Sequence, residues 1–484
     1  MSEISGPVNS FHQFSPISPA PGLPGDKIIT QNVPVVDSKE VIYQKTEKAD
    51  LVEPEPIEVK KESTILGASF MLTNLCLGTT IFTFAVRAKT FGLVWFLIIC
   101  VFVACVNYWS IMRCVYASSR CKEDDYSEIT EKILGKKMRV VLNVFIILYS
   151  YGFCMCYCAL IYSLFGRFIL SVGYTKDYEE YSDFLDKKWG KAYIKYPFYA
   201  GVAFCLSLMC LIKDINKLNF SAYIGVASCS YGLIVVLVQC PSYYKYYRNT
   251  IYNKDDESTY TNWINIKDAF TSKLDFFKGV STLFAAYACH PGIFPVYAGI
   301  KGQKEKGISR MNISTIWGTI LTTILHFVSI ICSFLTNPYD PEDLIVFRKS
   351  KGGKDIAMTI AKLFVAVSLV FTFPGYYFTL RLSIANSCAG GKISNKFNYI
   401  VTFASCFGCC LVAAVYDKIL NYLNYIGGFL SVYICYLNPI VLCIKTSGKP
   451  FTYWKNIIEL SISILLSAIG VMGGILTIID DVSG

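Results

Sequence analysis

The chain has 484 residues, 54% hydrophobic, 15% aromatic and 17% charged, with a mean hydropathy of +0.44. Soluble chains carry about a quarter charged residues, so this composition excludes a large soluble enzyme and disorder over most of the length. The net charge of +10 comes from basic residues scattered between apolar runs, which leaves no stripe on which a nucleic-acid backbone could lie. An all-α polytopic membrane protein remains, with the lipid bilayer as its first partner.

In chain order, residues 1–62 read as a flexible cytoplasmic tail, punctuated by Pro16, Pro19, Pro21, Pro24, Pro54 and Pro56. It has no basic stretch followed by a short apolar core, so no cleavable signal peptide is expected. Residues 63–480 then form the transmembrane domain. A span needs roughly 20 apolar residues. About eleven are predicted, near 65–86, 91–116, 138–171, 197–212, 221–240, 277–298, 311–334, 355–380, 397–415, 419–443 and 455–479. An odd number puts the termini on opposite sides. With a cytoplasmic N-terminus, the short basic segment holding Lys301, Lys304, Lys306 and Arg310 faces inward, as the positive-inside rule asks.

The first span places Gly78, Thr79, Thr80 and Thr83 at mid-membrane, four residues after Asn74. Gly78 permits unwinding, and an unwound helix offers free N–H groups to a carboxylate. The upstream half offers free carbonyls, and the Asn74 amide oxygen is a further hard ligand for a small cation. The alternative is that the threonines bond back to their own helix. In the third span, Tyr149, Ser150 and Phe153 are candidates to shape a side-chain pocket, together with Tyr287 of the sixth.

The sixth span reads Tyr287-Ala-Cys289-His290-Pro291-Gly-Ile293-Phe-Pro295-Val-Tyr297. Two prolines remove backbone donors and break the helix. An intramembrane histidine beside that break is either a proton-coupling group or a structural cap. His326, alone in the seventh span, reads as structural. In the eighth span Ser368 and Thr372 lie at i, i+4 and share a face. They are expected to complete an oxygen cage opposite the first break, or else to back-bond within their own helix. Gly427-Gly428 in the tenth span marks close packing. The twenty cysteines read as small apolar packing residues; Cys240 and Cys332, each near a span end, are a candidate disulfide. Interruptions at spans one and six point to inverted repeats with a mid-membrane site between them.

The sixth-span string is similar to the signature of the amino acid/auxin permease family, which includes the sodium-coupled neutral amino acid transporters. Phe371-Thr372-Phe-Pro374 followed by Arg381, and the line from Asn74 to Gly92, resemble two further segments of that family. The resemblance implies a LeuT-like inverted-repeat fold with eleven helices, of which 1 and 6 are broken. It implies secondary transport of amino acids coupled to sodium or protons. It assigns sodium to Asn74 and Thr372, with Ser368 as the lesser candidate, and the substrate carboxylate to the backbone at Gly78–Thr80. Thr80 stands where the family has its second glycine, Ala85 where it has proline, and Arg87 where a small residue is usual. Arg87 either gates the outward mouth, pairs with a substrate carboxylate, or snorkels to the interface.

The expectation is a non-enzymatic symporter working by alternating access. It needs no cofactor beyond the coupling ion. Neutral substrates are favoured because no acidic residue faces the expected site. An amino acid sensor without net transport, and a membrane acyltransferase using His290, are the rival readings. The plasma membrane and an acidic organelle both fit.

Overall fold

A computed structural model describes residues 64–77, 80–173, 189–211, 219–247, 274–300, 307–337, 341–342, 344–348, 350–351, 355–388, 393–416 and 418–483. The expected tail, 1–62, and two candidate site residues, Gly78 and Thr79, lie outside the described residues. What is described is helical, and the helix edges follow the hydropathy pattern. The first expected span is split into α1 (Ile65–Leu77), a 3-10 turn (Thr80–Phe82) and α2 (Phe84–Phe91). There follow α3 (Leu93–Cys121), α4 (Tyr126–Leu134), α5 (Lys136–Gly173), α6 (Ala192–Cys210) and α7 (Asn219–Tyr246). The sixth expected span is likewise two helices, α8 (Asp275–Tyr287) and α9 (His290–Ile300). Beyond it lie α10 (Gly307–Thr336), α11 (Ile356–Cys388) and α12 (Asn395–Val415). The tenth expected span is α13 (Ile419–Tyr425), a π-helical stretch (Ile426–Leu437) and α14 (Asn438–Thr446). The chain ends in α15 (Trp454–Ser483).

Among the described residues ten helical segments are long and apolar enough to cross a bilayer, and α1 is apolar but shorter. Their faces are those of a membrane protein. On α10 the exposed positions include Ile313, Ile316, Trp317, Ile320 and Ile324, while Thr315, Thr322, His326 and Ser329 are fully buried. In water that helix would place its polar side outward. Here lipid takes the apolar face, and the small polar residues pack against other helices.

The helix α4 was not anticipated in the loop near 117–137. Nine residues are too few for a hydropathy signal, but its cap is legible. The Asp125 carboxylate accepts from the backbone N–H groups of Ser127 at 2.8 Å and Glu128 at 3.0 Å, and Gly135 ends the helix at φ 88°. Burial pushes the Asp125 carboxyl above the usual range, against the pull of those two bonds. Tyr126 docks the helix: its ring stacks on Phe294 of α9 at 4.7 Å, and its hydroxyl donates to the Ile434 carbonyl at 2.7 Å.

Packing brings the interrupted helices against a continuous frame. α11 lies along α5 and α7, α1 packs on α10 and α7, and α8 packs on α15 and the π-helical stretch. Gly427 and Gly428 allow the last contact. A Cβ at Gly427 would collide with the Ser281 carbonyl, and one at Gly428 would sit 2.7 Å from the Gly470 carbonyl. The cysteines are all free thiols. Cys158 and Cys410 approach to 3.3 Å between sulfurs. Cys240 and Cys332, considered above as a disulfide, are likewise free.

Candidate transport site

Each break exposes backbone that must find partners, because buried carbonyls without donors are costly. α8 stops at Tyr287, Ala288 turns extended at φ −73° and ψ 107°, and α9 starts at His290. Pro291 sits in the first turn of α9, where its missing N–H is not needed. Three freed carbonyls are then claimed by side chains. The Tyr149 hydroxyl of α5 donates to the Ala288 carbonyl at 2.5 Å. The Cys76 thiol of α1 donates to the Tyr287 carbonyl at 3.7 Å. At the end of α1, the Tyr376 hydroxyl of α11 donates to the Leu75 carbonyl at 2.6 Å.

Close to that last bond, three helices meet at one glycine. A Cβ at Gly225 of α7 would collide with Asn74 Oδ1 and would lie 3.2 Å from Thr372 Oγ1. Ser368 Oγ donates to the Gly225 carbonyl at 3.1 Å, and Thr372 Oγ1 donates to the Ser368 carbonyl at 2.8 Å. Thr372 thus makes the local bond considered for it, while Ser368 bonds across to α7. Cys229 Sγ lies 3.5 Å from Ser368 Oγ, while Asn74 Oδ1 and Thr372 Oγ1 both lie against Gly225. Asn74, Ser368 and Thr372 are all buried, and the convergence holds only neutral oxygens. A hard monovalent cation suits that donor set.

Next to it lies an aromatic cluster. The Tyr376 ring stacks on Phe153 at 4.6 Å and stands edge-on to Tyr157 at 5.5 Å, with the Tyr149 ring 6.2 Å away. Tyr149, Phe153 and Tyr157 repeat every fourth residue and so share one face of α5. Ser150 is buried beside them, its hydroxyl without a hydrogen-bond partner among the described residues. Tyr287 does not join this cluster through its ring. Its hydroxyl is 3.0 Å from Thr323 Oγ1 and 3.4 Å from Cys100 Sγ, and the ring meets His326 edge-on at 4.9 Å. Only its carbonyl belongs to the break.

The remaining candidates are more firmly tied down. Thr80 Oγ1 donates to the Leu77 carbonyl at 3.3 Å, the local bonding weighed above. Ser110 Oγ of α3 donates its single proton to the Cys435 carbonyl. His290 Nε2, 3.0 Å from the same oxygen, must then be the protonated ring nitrogen and donate to it. This leaves His290 Nδ1 without a hydrogen-bond partner among the described residues. Arg87 is buried, 8% exposed. With the Asn424 amide oriented to satisfy both of its ends, Arg87 Nη2 donates to the Asn424 oxygen at 2.8 Å, and the Asn424 nitrogen donates to Thr282 Oγ1 at 2.7 Å. That chain links α2 to α13 and α8.

Sequence reasoning missed Gly225, Cys76 and Tyr376. Gly225 lies in an unremarkable apolar run, and the other two act only through partners far away in the chain. Tyr376 carried a usable signal, being one turn beyond Thr372 on the same face.

Residues 61–480 match the family described as "Transmembrane amino acid transporter protein". Sodium-coupled neutral amino acid transporter 7 of Xenopus laevis is 22% identical over 320 residues, 64% of this chain and 63% of that protein. The Homo sapiens protein of the same name is 23% identical over 336 residues, 66% of this chain and 64% of that protein. Amino acid transporter AVT6E of Arabidopsis thaliana is 22% identical over 326 residues, 66% of this chain and 63% of that protein. The matched stretch thus spans a little under two thirds of each relative. The apolar helices, the two breaks and a match over residues 61–480 lead to one conclusion: this is a multi-pass integral membrane protein of the transmembrane amino acid transporter family.

Proposed function

We propose that the chain is a secondary active transporter of neutral amino acids, driven by sodium and working by alternating access. The observation that carries this reading is the meeting of Asn74 Oδ1 and Thr372 Oγ1 at Gly225, beside the break after α1. These are neutral oxygens from two helices that must move relative to each other when a site opens to alternate sides. A cation held there is worth most when both helices contribute, so its binding biases one conformation. Relatives named as sodium-coupled neutral amino acid transporters support sodium over a proton.

The amino acid lies between the breaks, its carboxylate on the backbone at Gly78–Thr80 and its side chain toward Ser150 and Phe153. Sites without a facing carboxylate favour zwitterions over cationic side chains. Arg87, through Asn424, serves as the outward gate. α1 and α2 count as one interrupted span, giving eleven spans of the LeuT-like inverted-repeat type, with residues 1–62 as a cytoplasmic tail. Uptake of radiolabelled amino acids into proteoliposomes tests this. Sodium replaced by choline abolishes accumulation of neutral amino acids. Uptake undiminished by choline but dependent on external acidity replaces sodium with the proton, and binding without accumulation favours a sensor.

A further inference from the structure

Two carbonyls, one from each break, are each covered by a phenol from the continuous frame: Leu75 by Tyr376 and Ala288 by Tyr149. The two rings are 6.2 Å apart, so both caps belong to one small region. Leu75 is among the last four residues of α1, whose carbonyls have no partner within the helix. Such carbonyls suit a primary ammonium, which brings three donors and a positive charge. A charge-assisted bond is roughly twice as strong as the neutral one a phenol makes.

Resting on the transporter reading above, we infer that Tyr376 is a built-in stand-in for the substrate ammonium, displaced from the Leu75 carbonyl when an α-amino acid binds. Tyr376 is 4% exposed, and its ring is held by Phe153 and Tyr157, so the hydroxyl is positioned rather than free. While it stays bonded, the Leu75 carbonyl is occupied. A ligand must replace that bond to use this carbonyl. An ammonium does so; a carboxylate that lacks one does not. Selection for α-amino acids over their deaminated analogues is thereby built into the empty state. Thr372 sits one turn before Tyr376 on the same face of α11, so displacement of the phenol is felt directly at the cation ligands.

The test uses the full-length protein in proteoliposomes with the radiolabelled neutral amino acid that it accumulates best. Removing the competing hydroxyl in Y376F lowers KM by about 3- to 10-fold, the range set by one lost neutral hydrogen bond. A purely packing role would lower Vmax or stability and leave KM alone; an unchanged or raised KM overturns the inference. In the otherwise unaltered chain, 3-fluorotyrosine placed at 376 keeps the hydroxyl and reports on it by 19F NMR. Its resonance shifts with saturating amino acid and stays put with the deaminated analogue. A shift with both, or with neither, also overturns it. If the unmodified chain accumulates no amino acid at all, the transporter reading fails instead.

Discussion

The two breaks are built from different chemistry. The first has Gly78 and threonines in its sequence and no proline, and Asn74 near the end of α1 meets Thr372 at Gly225. The second is set by Pro291, and its neighbours are bonded into place: Ala288 to Tyr149, Tyr287 to Cys76, His290 to Ser110 and onward to Cys435. Glycine is free to adopt many backbone conformations, while proline fixes φ and lacks the N–H that a continuous helix needs. On the reading proposed above, the first break is the site of exchangeable binding and the second a braced pivot.

The largest expected effect separates them. N74A removes one of two converging side-chain oxygens, and cation-stimulated uptake in proteoliposomes falls by more than about 10-fold, near 1.4 kcal/mol or beyond. A smaller effect is expected of G225A, whose methyl group would displace the Asn74 side chain. The sodium concentration for half-maximal uptake rises by about 3- to 10-fold with the substrate KM nearly unchanged, an estimate based on one perturbed ligand bond. At the second break, H290A leaves Ser110 without its donor. Thermal unfolding in detergent then shows a loss of about 1–3 kcal/mol, while the sodium dependence of the folded fraction is kept. Lost coupling with unchanged stability in H290A would reverse the two assignments. Y149F unmakes a single cap at Ala288 and costs about 1 kcal/mol in the same unfolding measurement.

A cluster away from both breaks gives a control with a pH sign. Burial pushes the Asp355 carboxyl up, but donors from Gln239 at 2.9 Å, the Met358 backbone at 3.0 Å and Tyr243 at 2.7 Å, with the Arg348 guanidinium, hold it below the usual carboxylate range. A depressed carboxyl contributes stability above its unfolded pKa of about 4 and loses it as pH falls through the lower folded value. Thermal stability should therefore decline below about pH 4 in the unaltered chain and decline less in D355N, with the cation dependence of uptake at pH 7 the same in both.

The spans and both breaks were legible because hydropathy and helix breakers are local signals. Ser368 and Thr372 were placed on one face by their i, i+4 spacing, and Asn74 was singled out by its distance to Gly78. The partners were not legible. Gly225 reaches Ser368 across 143 positions of chain and Tyr376 reaches Leu75 across 301, and no periodicity within one helix encodes which neighbour it will face. Tyr287 shows the same limit from the other side. Its position at the break was visible, but the direction of its ring, toward Thr323 and His326, depends on α10.

The most direct measurement is accumulation of a radiolabelled neutral amino acid in proteoliposomes under an inward sodium gradient, with choline as the replacement ion. Uphill accumulation that requires sodium and disappears in N74A is the predicted result. Equal accumulation in choline, or full sodium dependence surviving in N74A, would contradict a cation site at Asn74, Thr372 and Gly225.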